Sequence, residues 1–102
     1  QAEYNYERIK GRVHVQIRRE TRNLDYASEL EELAEQALAF RRESLRMSTE
    51  AGEAGLKTTT EVTAARAELA KAEVDLLKAR LNRRLAVIRL RKVCGYPVRD
   101  GH

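Results

Sequence analysis

His14, His102 and Cys94 are the side chains here that could serve as base, metal ligand or nucleophile near neutral pH. The two histidines stand at opposite ends of the chain, and neither has an acid or cysteine cluster around it. That is not the spacing of a metal set. Cys94 follows Arg89, Arg91 and Lys92, which favour the thiolate. It also sits where a helix should end, and the C-terminal dipole opposes a negative charge. It reads as a small packing residue. The carboxylates are scattered, with no pair placed for acid–base work. Gly52 and Gly55 precede a helix but lack the Lys-Ser/Thr ending of a phosphate loop. No catalytic residue, metal or cofactor is expected, and the chain reads as non-enzymatic.

The elements carrying these residues are long helices. Val62, Ala65, Leu69, Ala72, Leu76, Ala79, Arg83, Ala86, Leu90 and Val93 recur in strict 3-4-3-4 spacing. All but Arg83 are apolar. Such a run predicts one long helix offering a narrow seam to a partner helix. Composition agrees. The 102 residues include no Trp, one Phe and one Pro, and 35% are charged. Few bulky groups and many charges suit elongated helices better than a compact globule. The net charge of +4 is a mild excess, not a polybasic tail. A lone cysteine rules out an intramolecular disulfide. No run of apolar residues is long enough for a transmembrane helix, and no signal peptide is visible. The chain opens on Gln in mid-pattern, as a processed chain or a piece of a longer protein would.

The first half has the same periodicity. Tyr26, Leu30, Leu33, Ala37, Phe40, Ser44, Met47 and Ala51 form the main stripe expected there. Upstream the signal weakens at Gly11, and Val13 to Ile17 alternates like a strand. Helix is still favoured, because no turn signal separates this stretch from residue 24.

The break falls at residues 52–58. Gly55 suits the left-handed residue that ends a helix, with Leu56 folding back on Ala51 or Met47. Thr58 and Glu61 have the spacing of a capping box. Stop and start lie so close that the helices must be antiparallel neighbours. The expected fold is all-α: a single antiparallel helical hairpin over residues 1–102, with helices at about 3–53 and 58–94. Gly95 and Pro97 stop the second helix, and 96–102 is expected to be a frayed tail. At roughly 1.5 Å per residue, an arm of about 35 residues is roughly 50 Å long.

This register sets Glu29, Glu31, Glu32 and Glu35 level with Lys78, Arg80, Arg83 and Arg84. Arg41 and Arg42 fall near Glu68 and Glu73. Glu29 or Glu31 is the expected partner of Arg83. The open end is basic on both arms, with Arg18, Arg19 and Arg22 beside Arg89, Arg91 and Lys92. Each helix also carries a second apolar series. It comprises Leu24, Ala27, Ala34, Leu38 and Leu45 on the first, and Val74, Leu77, Leu81, Leu85 and Ile88 on the second. Stripes on two sides imply neighbours on two sides, either as a self-associating bundle of hairpins or as a wall of helices.

The run AGLKTTTEVTAARAELAKAEVDLLKARLNRRLAVIRLRKVCG resembles the periplasmic hairpin of the TolC-like outer-membrane efflux factor family. Gly55, Thr58 or Thr59, Glu61-Val62, Ala65, Leu69, Ala72, Asp75, Ala79 and Gly95 occupy that family's pattern. Ile17-Arg18, Leu24, Ala27, Leu30, Ala34, Ala37 and Arg42 are similar to its descending helix. The resemblance implies a homotrimer whose hairpins line a periplasmic tunnel below an outer-membrane β-barrel. It also implies a periplasmic adaptor protein at the hairpin tips and, through it, an inner-membrane transporter. On this resemblance Gly55, Leu56, Lys57 and Thr58 are the adaptor-docking tip. Glu61 is a candidate entrance-lining acid, although its place in a capping box accounts for it equally well. Glu stands where the family has Asp, and Ala64 where a second acid can occur.

Two other readings compete with this one. A coiled-coil arm binding nucleic acid would suit the basic open end. Its tip would concentrate Arg and Lys, however, whereas residues 50–61 hold three acids and one Lys. An adaptor-type hairpin would carry Arg and Leu at its turn, which Leu56-Lys57 only partly matches. The efflux hairpin is therefore the favoured reading, and no nucleic acid partner is expected.

Overall fold

The computed structural model describes the backbone of residues 2–95 and the side chains of residues 8–95. The expected tail at 96–102 lies outside the described residues. The chain is a hairpin of two helices, α1 (Ala2–Glu53) and α2 (Thr59–Val93). No strand occurs among the described residues. The alternating stretch Val13 to Ile17 lies within α1, and so does Gly11. Neither helix is long and apolar enough to cross a membrane among the described residues.

Two compact units partition the contacts. One comprises residues 30–80 and the other, among the described residues, 2–29 with 81–95. The first contains the turn and a small core of Leu38, Ala72 and Leu76, flanked by Ala34 and Leu69. Its α2 seam is as expected: Val62, Ala65, Leu69, Ala72, Leu76 and Ala79 are all buried or half-buried. Two cross-helix ion pairs match the expected register, Arg41 to Glu68 at 3.6 Å and Arg80 to Glu35 at 4.0 Å. Both pairs are about half exposed, so each contributes about 0–1 kcal/mol and mainly selects register.

The α1 seam differs from expectation. Tyr26 is 64% and Phe40 57% exposed, and Leu33 and Met47 also face solvent. The inward positions in the unit of residues 30–80 are Glu31, Ala34, Leu38, Leu45, Ser48 and Gly52, with Ser44, Thr49 and Ala51 also half-buried. The flanking series thus forms most of the seam; of the expected stripe only the small Ser44 and Ala51 are half-buried, and its bulky members lie outside. The turn provides the physical reason. It fixes the face of α1 that meets α2, and counting back from Gly52 in threes and fours gives Ser48, Leu45, Arg41, Leu38, Ala34 and Glu31, with Arg41 at the edge of the seam in its pair with Glu68. Small residues there also let the helices approach closely.

In the other unit Ala27 and Ala86 are buried. Ile17, Glu20 and Leu24 on α1, and Arg83, Leu90 and Val93 on α2, are half-buried. Arg83 takes part in a polar or electrostatic interaction, as does Glu31 in the unit of residues 30–80. Arg18, Arg19, Arg22, Arg89, Arg91 and Lys92 are all exposed, as a like-charged cluster requires.

Candidate functional site

The turn closes with two interlocking end motifs. Gly55 has φ +77°, a conformation that strains any residue with a Cβ. The Leu56 amide donates to the Ala51 carbonyl at 2.8 Å and the Gly55 amide to the Gly52 carbonyl at 3.1 Å. These are the two bonds of a Schellman ending. Three residues on, the Thr58 amide donates to Glu61 Oε2 at 3.3 Å, and the Glu61 amide donates to Thr58 Oγ1 at 3.2 Å. The capping box is therefore formed as the spacing predicts.

One expectation fails here. Leu56 does not fold back on Ala51 or Met47. It is 80% exposed and forms an apolar knob on the turn. The next residue turns inward instead. Lys57 Nζ donates to Ser48 Oγ at 3.2 Å. Ser48 lies on the α1 seam at 5% exposure, so its hydroxyl gains a partner from across the turn. Lys57 is thus tethered to α1. Glu61 is exposed, and its carboxylate is engaged in the cap.

The structure therefore gathers Gly55, Leu56, Lys57, Thr58 and Glu61 at one end of the unit of residues 30–80. Beside them runs an open groove of about 300 Å³, lined by Gly52, Lys57, Thr59, Val62, Thr63 and Arg66, among others. Its floor is tight: a Cβ built on Gly52 would lie 2.9 Å from Val62 Cγ2. Sequence reading treated Gly52 as part of the break, yet it is helical and packed. No hydrophobic signal marked it, since both it and Ser48, four residues earlier on the seam, lack an apolar side chain.

A second feature missed in sequence lies on the outer face of α1. Arg46 bridges Glu43 and Glu50, with its Nη1 2.7 Å from Glu50 Oε1. Its Nε also donates to both Glu43 oxygens, at 3.1 and 3.0 Å. These hydrogen bonds, aided by the guanidinium charge, hold the Glu43 carboxyl below its ordinary value. They raise the Arg46 guanidinium in turn. The i,i+3 and i,i+4 spacing could have revealed this ladder.

Cys94 is a free, exposed thiol. Among the described residues no three His, Cys, Asp or Glu side chains are grouped to hold a metal ion. The described residues present a knob, a groove and exposed apolar flanks. The family model described as outer membrane efflux protein matches residues 1–96. Neither a curated protein nor a solved structure matches the chain.

Proposed function

The chain belongs to the outer membrane efflux protein family and is thereby a component of an efflux channel, and on that premise we propose that it is a periplasmic hairpin of the channel wall, docking a periplasmic adaptor through its tip. The wall role rests on the exposed apolar side chains of both helices. Tyr26, Leu33, Phe40 and Met47 on α1, and Val74, Leu77, Leu81 and Ile88 on α2, are all exposed. A two-helix hairpin leaves such surface wet, and neighbouring hairpins in a trimer would cover it. Through the adaptor the channel would meet an inner-membrane transporter. Glu61, exposed at the tip, would line the entrance while still capping α2.

The docking role rests on Leu56. Burying a leucine against a partner is worth about 1.5–3 kcal/mol. Leu56→Ala in the full-length protein should therefore weaken adaptor docking roughly tenfold while helicity is unchanged. Normal crosslinking to the adaptor and normal efflux in that variant would refute the docking role. Sedimentation of the hairpin tests the wall role: it should self-associate, and Phe40→Ser with Leu77→Ser should shift it towards monomer. A wild-type hairpin that stays monomeric at high concentration would count against the wall role.

A further inference from the structure

We infer that Lys57 and Ser48 are a positioning pair, whose hydrogen bond holds Leu56 outward as a preformed knob for a partner's apolar socket. The inference rests on the tip-docking reading for its purpose, but the geometry stands without a partner. A Schellman ending normally returns its following apolar residue to the helix it closes. Here both backbone bonds of the motif are made, yet Leu56 is 80% exposed and Met47, one of its expected supports, is itself exposed. The difference lies in the next side chain. Lys57 reaches back to Ser48, nine positions earlier, with Nζ 3.2 Å from Oγ.

Ser48 is the one buried polar residue among the described residues, and its hydroxyl needs a partner inside the seam. Residues 56 and 57 belong to neither helix. Within this two-residue link Lys57 reaches α1 while Leu56 points to solvent. Tying Lys57 inward therefore turns Leu56 outward. The tether also lowers the number of turn conformations a partner must select among, which is how preorganisation raises affinity.

The chain contains no tryptophan, so Leu56→Trp supplies a single reporter. Acrylamide is uncharged, so its quenching reads exposure independently of the lysine charge. With Lys57 and Ser48 intact, the indole should emit as a solvated ring and be quenched strongly. Adding Ser48→Ala or Lys57→Met should let the ring fold back on α1, shift its emission to the blue and lower the quenching constant by roughly half. Lys57→Arg keeps a donor of similar reach and should restore most of the quenching. Circular dichroism should show the same helicity throughout. An equal quenching constant in all four backgrounds would overturn the positioning role. That outcome leaves the docking reading standing, whereas normal adaptor crosslinking by Leu56→Ala would refute docking and leave the positioning geometry intact.

Discussion

Gly52 and Gly11 are both helical glycines, and the same substitution should act on them with opposite sign. Around Gly11 an added Cβ meets nothing within 4 Å. Gly11→Ala should therefore deliver the helix-propensity gain alone, stabilising by about 0.5–1 kcal/mol. At Gly52 the new Cβ would stand 2.9 Å from Val62 Cγ2. Ordinary carbon–carbon contacts lie at about 3.5–4.0 Å, so something must give by more than half an ångström. Val62 gives poorly, because a β-branched side chain in a helix is largely confined to one χ1 well. Overpacking of this kind costs about 1–3 kcal/mol. The propensity gain is smaller at Gly52, which is the second-last residue of α1. Gly52→Ala should therefore destabilise by about 0.5–2 kcal/mol.

Pairing it with Val62→Ala isolates the cause. Val62→Ala alone should cost about 1 kcal/mol for its half-buried methyls. In the double variant the clash has no second partner, so a favourable coupling of about 1–2 kcal/mol should appear. Urea unfolding followed by helical ellipticity reads all four proteins. If Gly52→Ala stabilises as much as Gly11→Ala, or if Val62→Ala leaves its effect unchanged, the close approach of α1 and α2 at the turn is refuted.

Three further outcomes follow from the tip and the outer face of α1. Gly55→Ala forces a Cβ onto a φ of +77° and should cost about 1–2 kcal/mol, seen as a lower urea midpoint. Thr58→Ala removes the cap on the Glu61 amide and should cost about 1 kcal/mol, with amide exchange rising in the first turn of α2. The Glu43 carboxyl should titrate below its ordinary 4.5 by nuclear magnetic resonance, and Arg46→Gln should return it there. Because its folded value is depressed, the contribution is present above 4.5 and is lost as pH falls through the folded value. A Glu43 midpoint insensitive to Arg46→Gln would refute the bridge.

Much of the turn and all of the α2 seam were legible in the sequence because both are local or periodic signals. Gly55, Thr58 and Glu61 act through neighbours one to four residues away. The ten seam positions of α2 are buried or half-buried throughout. The phase of α1 was not legible. Two apolar series run along it, and hydropathy favours the one with Tyr26 and Phe40. The choice is made at the turn, where Ser48 and Gly52 lie on the inner face but carry no hydrophobic signal. The Lys57–Ser48 bond was hidden for a related reason: it crosses the turn, so no helical period predicts it.

That inverted phase bears on how the hairpin is held together. Its inner seam uses small residues, and the core of the unit of residues 30–80 reduces to Leu38, Ala72 and Leu76. The larger apolar side chains, Phe40, Met47, Leu77 and Leu81 among them, remain in water. The exposed apolar flanks are therefore wider than the internal seam. The proposed channel wall would supply neighbours on both sides, where the bulky stripe would pack against other hairpins.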